Sequence, residues 1–330
     1  MGLLHAGIMN GLHDVELCAI CDKSKFLLGF AKSLRDIPAY EDYCLMLDRE
    51  EPDAVVLTTP VFLHIPMAKE CVDRNIPFFL EKPLCLRSEE AAPLVAEIDS
   101  KGTVSMVGYM MRYMETFSLA KKIVDSQVLG KIISFGATMY VSQLFRKGKG
   151  WRYEREKSGG GVIIGQATHL IDMLQWYFGS IQKVSAHTIR FYSSEVEDFA
   201  HVYFSFEAGM SGWIDSSWSM RHHRLLETEI SINTENGNLT VNDDSLKLFL
   251  EKDSRDYPAG WTTFKRPDLY RGVEIDLGGP HFSRQDMDFV SAVRENRQLQ
   301  SSLKNAYCVQ KVVDCIYRSA QAEGAPQEVV

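Results

Sequence analysis

An apolar run from Ile76 to Leu80 stops abruptly at Glu81, Lys82 and Pro83. A short continuous apolar run is the mark of a strand covered on both faces in a parallel sheet. Ligands in open α/β sheets sit at the carboxyl ends of such strands. A proline restricts the residue before it, so Lys82 is expected to face that crevice rigidly. An ammonium there could polarise a carbonyl and give it a proton. In the opposite direction the amine could take a hydroxyl proton, once burial had lowered its pKa from the ordinary value of about 10.4. The alternative is a strand that ends in a solvated charge pair.

His169 is the second chemical candidate. It follows the triple glycine Gly159, Gly160 and Gly161 and opens an apolar helix with Leu170, Ile171, Met173, Leu174 and Trp176. An imidazole titrates near neutrality and can assist proton transfer, although a hydrogen-bonded core histidine would look the same. Asp172, three residues on, either orients that imidazole or caps a structural network. No metal is expected, because metal sites want three or four ligands and only two stand here. Cys18 and Cys21 form a lone Cys-x-x-Cys inside an apolar strand, where residues three apart point to opposite faces.

These residues need a scaffold, and the chain supplies one. Apolar segments over 15–21, 53–58, 76–80 and 103–107 read as strands. Between and after them, 23–32, 43–49, 65–74 and 89–101 have helical composition. Strand and helix alternate at the spacing of βαβ units, which gives a parallel sheet wrapped by helices. Asp22 ends the first of these strands, where an acid commonly takes the ribose hydroxyls of a dinucleotide. Its charge would repel a 2′-phosphate, which favours NAD over NADP, with Lys23 able to soften the choice. A solvated strand end is the bland alternative.

A dinucleotide fingerprint, Gly-x-Gly-x-x-Gly, normally lies about 20 residues before that acid. Gly2 stands at that distance from Asp22 and is followed by the helical Leu3-Leu4-His5-Ala6, so it fits the third glycine. The first strand and first two glycines would then precede Met1. A sheet lacking its central strand would lose several kcal/mol, so the expectation is a chain whose natural start lies upstream.

The second half changes character. Segments over 132–141, 183–190, 200–206, 212–218, 227–233 and 238–241 are short, alternating or β-branched, and turns separate them. The Thr-Glu-Asn-Gly and Glu-Ala-Gly breaks are hairpin signals. Helices over 284–296 and 303–323 close the chain. Glu195, Glu197 and Asp198 read as a turn, and the basic 221–224 turn as solvated.

At 330 residues the chain fits about two domains. The expected division is 1–110, a dinucleotide-binding domain, and 111–330, an α+β domain for substrate and oligomerisation. A formal charge of −8 and no basic tract longer than 146–149 give a nucleic-acid role little support. No apolar run approaches the roughly 20 residues of a membrane helix. The start carries no signal region. Seven scattered cysteines suit reduced thiols, so a cytoplasmic protein is expected.

The set Met-Gly-Leu-Leu-His-Ala, Thr59-Pro60-Val61-Phe62-Leu63-His64, Glu81-Lys82-Pro83, and the triple glycine followed by His169-Leu-Ile-Asp172 resembles the Gfo/Idh/MocA oxidoreductases, relatives of glucose-fructose oxidoreductase and inositol dehydrogenase. The elements occur in the family's order, from residue 1 to about residue 320. The resemblance implies a Rossmann domain followed by an open, mostly antiparallel sheet with helices on one face. The other face is often used for oligomerisation, so a homodimer or homotetramer is expected. It implies a hydride transfer between NAD, or alternatively NADP, and a hydroxyl carbon of a sugar or polyol. Lys82 would lie beside the reacting carbon after a cis peptide to Pro83, with His169 assisting.

By the same resemblance Gly2, Asp22, Thr59, Pro60, His64, Glu81, Lys82 and Pro83 would contact the cofactor. Tyr109, Arg112, Trp151, Arg152 and Asp172 would contact the substrate. One departure stands out: many members carry Asp four residues before the histidine, and here that residue is Gly165. Lys82 and His169 would then carry the proton without it. The Gln166-Ala-Thr-His169 sequence hints at the branch that acts on nucleotide sugars such as UDP-amino sugars. A sugar- or dinucleotide-binding sensor with impaired catalysis is the alternative outside enzymes.

Overall fold

The computed structural model describes residues 1–29 and 37–330. The chain opens with helix α1 (Gly2–Gly11), followed by strands β1 (Ile20–Cys21) and β2 (Ala39–Tyr40), which pair in parallel. Helix α2 (Tyr43–Glu50) begins at Asp42, whose side chain accepts from the Leu45 N–H, a regular N-cap. Strand β3 (Val55–Leu57), helix α3 (His64–Asp73), strand β4 (Phe78–Leu80), helix α4 (Ser88–Lys101) and strand β5 (Ser105–Val107) complete the first half. β3, β4 and β5 form a three-stranded parallel sheet in that order. The central strand buries Phe78, Phe79 and Leu80 completely. That is the continuous apolar run doing what a doubly covered strand requires, at about 1.5–3 kcal/mol per side chain.

The strand expected over 15–21 is paired only at Ile20–Cys21, because its partner β2 is itself two residues long. Of the helix expected over 23–32, residues 25–29 are helical and 30–32 lie outside the described residues.

Helix α5 (Glu115–Asp125) leads into strand β6 (Ile132–Tyr140). Helix α6 (Thr168–Phe178) precedes β7 (Ile181–Ile189), β8 (Phe199–Phe206), β9 (Ser211–Ser217), β10 (Glu227–Thr234), β11 (Gly237–Asn242), β12 (Ser245–Leu250) and β13 (Gly260–Lys265). Helices α7 (Pro280–Glu295) and α8 (Leu303–Gln321) and the short β14 (Gln327–Glu328) end the chain. The strands form one nine-stranded sheet in the order β13-β12-β11-β10-β6-β9-β8-β7-β14. All neighbours are antiparallel except β6 and β9. Both expected hairpins are present, β8–β9 through the Glu-Ala-Gly break and β10–β11 through the Thr-Glu-Asn-Gly break. Strands β12 and β13 and helix α5 had no counterpart in the sequence reading.

One face of this sheet packs under α5, α6 and α8, with Ala186, Val202, Phe204, Ile214, Ile230 and Val241 buried beneath them. The opposite face carries exposed aromatic residues, Tyr203, Trp213 and Trp261 among them. Helix α7 returns to the first half: its Phe289 and Ala292 share a core with Met9, Leu12, Phe79 and Met106. The end of β4 is thereby brought against the turn that leads into α6 and, through His5, against α7. No helix among the described residues is long and apolar enough to cross a membrane.

Candidate functional site

Lys82 stands two residues past the end of β4, and its peptide bond to Pro83 is cis. The ammonium nitrogen donates to the Gly165 carbonyl oxygen at 2.6 Å. Burial of the amine lowers its pKa below the ordinary lysine value; the Glu81 charge opposes that shift and Arg152 adds to it. Gly165 sits in a π-helical turn, Ile163–Ala167, that runs into α6. Gln166 pins this turn to the sheet by donating to the Met139 carbonyl at 2.9 Å.

His169 comes off the first turn of α6 and is buried. Its Nδ1 has no hydrogen-bond partner among the described residues. The ring meets Tyr109 edge to face, with centroids 5.9 Å apart. Burial, then the charges of Lys82 and His281, hold its pKa well below the usual imidazole value. The ring is therefore neutral near pH 7, and an unmatched polar nitrogen in a buried wall is costly unless a ligand meets it.

His281, which the sequence reading did not single out, stands in the first turn of α7. Its Nδ1 also lacks a partner among the described residues, and burial brings its pKa to about 4. A Gly278-Gly279-Pro280 break immediately before a helix was the signal that could have drawn attention to it.

The triple glycine owes its position to Glu197. This buried carboxylate accepts from the Gly161 N–H at 2.9 Å, the Ile163 N–H at 3.0 Å and the Tyr317 hydroxyl at 2.9 Å. A Cβ on Gly161 would fall 2.0 Å from the Glu197 carbonyl oxygen, so only glycine allows that approach. The neighbouring Asp198 accepts from the backbone N–H groups of Phe191 and Tyr192 at 2.6 and 2.7 Å and from Trp218 Nε1 at 3.0 Å. The reading of 195–198 as a plain turn is corrected: Glu195 is exposed, but Glu197 and Asp198 are buried because they collect orphaned backbone and side-chain donors.

Three expected substrate contacts, Arg112, Asp172 and Tyr109, are engaged within the protein instead. Arg112 grips Asp172 with two bonds, Nε to Oδ2 at 2.8 Å and Nη2 to Oδ1 at 2.6 Å, and its remaining fork nitrogen donates to the Gln300 carbonyl. Both side chains are buried and spend their polar atoms on each other, a bidentate pair that ties α6 to the loop after β5. Asp172 accordingly does not orient His169. Tyr109 is buried as well, its hydroxyl 3.0 Å from Thr168 Oγ1, so it packs against His169 and does not face open space. Trp151 and Arg152 lie in a short 3-10 turn, the guanidinium stacked over the indole at 5.3 Å. Arg152 is near enough to act on the charge of Lys82.

The expected cofactor residues stand at the start of α1 and just past the ends of β1, β3 and β4. A Cβ on Gly2 would fall 2.9 Å from Thr58 Oγ1, so α1 starts hard against the loop after β3. Thr59 and Pro60 continue that loop, and Thr59 Oγ1 faces Met67 Sδ at 3.5 Å. Asp22 closes β1 and accepts from the Ser24 N–H at 2.7 Å. His64 is buried. Its ring nitrogens lie 2.8 Å from both the Thr59 and the Pro83 carbonyls, and burial lowers its pKa. It thereby ties the loop after β3 to the loop after β4. A helix start with a glycine at the contact, opposite the ends of β3 and β4, fits a dinucleotide lying across the strand ends.

Glu81 is buried against His5 of α1, and Asp286 of α7 takes the other side of that imidazole. Burial alone would lower the His5 pKa, but the Asp286 and Glu81 carboxylates overcome it and raise it to about 9.

Residues 1–109 match the family model described as an oxidoreductase family with an NAD-binding Rossmann fold. Residues 117–240 match the model of the GFO/IDH/MocA C-terminal domain. Levoglucosan dehydrogenase of Pseudarthrobacter phenanthrenivorans is 24% identical over 319 residues, covering 86% of this chain and 81% of its own. The NAD-dependent scyllo-inositol 2-dehydrogenase of Bacillus subtilis is 27% identical over 201 residues, 59% of this chain and 57% of its own. Among solved structures, levoglucosan dehydrogenase in complex with NADH and levoglucosan superposes with a TM-score of 0.86 at 21% identity, covering 99% of this chain and 95% of its own. The WlbA dehydrogenase of Bordetella pertussis, in complex with NADH and UDP-GlcNAcA, gives 0.81 at 21% identity, covering 100% and 94%. At these identities the structural likeness establishes the fold: a Rossmann-like domain followed by a mostly antiparallel sheet.

Proposed function

The chain belongs to the Gfo/Idh/MocA oxidoreductase family, and from that premise we propose that it moves a hydride between NAD and a hydroxyl-bearing carbon of a sugar or polyol. Lys82 is the proton donor and acceptor, and His169 assists. The observation that carries this reading is the Lys82 ammonium nitrogen, just past the end of β4, held 2.6 Å from the Gly165 carbonyl and near enough for its charge to act on the buried, unmatched imidazole of His169.

NAD, when bound, supplies the hydride acceptor at its nicotinamide ring. Gly2, at the start of α1, and the Thr59-Pro60 loop hold the dinucleotide phosphates and backbone. Asp22 takes the ribose hydroxyls, which favours NAD over NADP. Lys82, its pKa depressed by burial, removes the hydroxyl proton as the C=O bond forms. In the reducing direction the ammonium polarises the carbonyl and returns that proton. The Gly165 carbonyl accepts one N–H of Lys82 and so aims the nitrogen, but it cannot take a proton itself. His169, neutral, offers Nδ1 to a substrate hydroxyl and fixes the carbon to be oxidised.

The missing carboxylate at Gly165 favours a second reading, a sugar- or dinucleotide-binding sensor that turns over slowly. A nucleotide sugar, of the UDP-amino sugar kind, is the alternative substrate; the likeness to WlbA is its support. The aromatic outer face of the large sheet supports a homo-oligomer built through that face. The reading is tested by screening sugars, polyols and nucleotide sugars with NAD for NADH formation, beside a titration of NADH binding by fluorescence. NADH formation with any of them favours the enzyme, whereas binding without turnover favours the sensor.

A further inference from the structure

Three buried ionisable groups lie in a row beneath Lys82, and the reaction as described uses none of them directly. Asp286 places Oδ1 and Oδ2 each 2.9 Å from His5 Nδ1, and Glu81 places Oε1 3.0 Å from His5 Nε2. Glu81 then uses Oε2 to accept the backbone N–H of Lys82 at 3.1 Å. The three come from three elements, α7, α1 and the end of β4. Phe79 and Phe282 pack their rings against the imidazole, with centroids 4.9 and 6.4 Å away. His5 and Asp286 are shielded from water almost entirely.

With both acids ionised each ring nitrogen must carry an N–H, and although burial raises the Asp286 pKa, the two carboxylates bring the His5 pKa to about 9, so the ring is an imidazolium at neutral pH. Two consequences follow for Lys82. The clamp fixes the Glu81 rotamer, and through it the amide of the residue that carries the ammonium. It also places a positive charge behind the carboxylate nearest Lys82, which weakens that carboxylate's pull on the proton of the lysine.

We infer that His5 is a positioning residue for Lys82: held by Asp286, it fixes Glu81 and offsets its charge, and so sets both the place of the lysine and the pH at which its amine becomes free. The catalytic consequence rests on Lys82 being the proton-transferring group of the proposed reaction; the clamp itself does not. The groups facing Lys82 are Glu81, with His5 and Asp286 behind it, Arg152 from the 151–153 turn, the Gly165 carbonyl and His169 from α6.

The test is the pH dependence of Lys82 acetylation by acetic anhydride, read by mass spectrometry of the peptide that contains it, in the full chain and in His5→Gln and Asp286→Asn variants. Circular dichroism checks that each variant is folded. In Asp286→Asn a negative charge is lost with the positive one it sustains, so the midpoint of Lys82 reactivity should rise only slightly; in His5→Gln Glu81 is left uncompensated and the midpoint should rise by about one pH unit. That is about a tenfold smaller fraction of free amine below the midpoint. The alkaline-going limb of kcat/KM should move with it. An unchanged midpoint in the folded His5→Gln variant would overturn the inference. The unmodified protein provides a check that needs no variant: nitrogen NMR of His5 at pH 7 should show both ring nitrogens protonated, and a neutral ring there would equally overturn it. A shifted midpoint together with no NADH formation by the unmodified protein supports the clamp while sinking the dehydrogenase reading.

Discussion

The Lys82 ammonium nitrogen lies 2.6 Å from the carbonyl oxygen of Gly165, a residue with no side chain to share a proton. A carbonyl stabilises an ammonium less than a carboxylate does, which leaves burial as the leading influence on Lys82. The amine is accordingly free at lower pH than it would be beside an aspartate.

That relationship makes Gly165→Asp informative. A Cβ at this position meets only the Trp218 ring, at an ordinary 3.5 Å, so the backbone tolerates a side chain there. A carboxylate placed beside Lys82 should raise its pKa and move the rise of kcat/KM to higher pH by about one unit. Initial rates across pH 6 to 10 measure this; an unmoved profile would mean that the two groups do not sense each other.

His169→Asn should lower kcat by about 10²-fold, within the range of a lost acid–base assistant, while the Kd for NADH changes little. Steady-state kinetics beside fluorescence titration separate the two. A rise in KM with kcat intact would reduce His169 to a ground-state contact.

The histidines should make stability fall on both sides of neutrality. The folded pKa of His5 lies above its unfolded value of about 6.5, so its contribution is complete below pH 6.5 and fades as pH rises toward 9. The span corresponds to on the order of 3 kcal/mol, less what burying the two carboxylates costs. His64, His169 and His281 have folded pKa values below 6.5, so their contribution is present above pH 6.5 and fades as pH falls below it, for His281 down to about 4. The histidines alone would therefore make urea midpoints at pH 5, 7 and 9 peak near 7. Because the depressed Lys82 works the other way as pH rises, the His5 part is read by difference: the stability lost in His5→Gln should shrink from pH 7 to 9, and a loss independent of pH would contradict the His5 assignment.

Glu197→Ala leaves the Gly161 and Ile163 N–H groups and the Tyr317 hydroxyl without their acceptor in a dry interior. Each such loss costs about 1–3 kcal/mol, so the variant should be destabilised by about 3 kcal/mol or more in urea unfolding. Activity should fall further than stability alone explains, because the turn leads into the helix that carries His169.

The exposed face of the nine-stranded sheet yields another expectation. Replacing Trp213 and Tyr203 with Ser should shift the molecular mass measured by light scattering toward that of one chain. An assembly that keeps its mass must use another surface.

Much of this architecture is legible in the sequence wherever one residue's surroundings come from its near neighbours. The Phe78-Phe79-Leu80 run announces a buried strand because both faces are covered, and the hairpins announce themselves by their glycines. Strand β13 does not: it lies at the edge, none of its residues is fully buried, and Trp261 is largely exposed. Lys82 and His169 stand out through motif and position. The partners of His5 lie 76 and 281 residues away along the chain, so nothing local signals the clamp. Glu197 and Asp198 read only as part of a turn in the sequence because an acid's value as an acceptor depends on donors that only the fold delivers.

The central claim is that Lys82 moves the proton of a hydride-transfer reaction, and Lys82→Ala tests it most directly. With a substrate found by screening, the variant should lose about 10²- to 10⁴-fold in kcat while binding NADH with a Kd close to that of the unmodified protein. A variant that keeps its kcat would contradict the account, whatever its affinity for substrate.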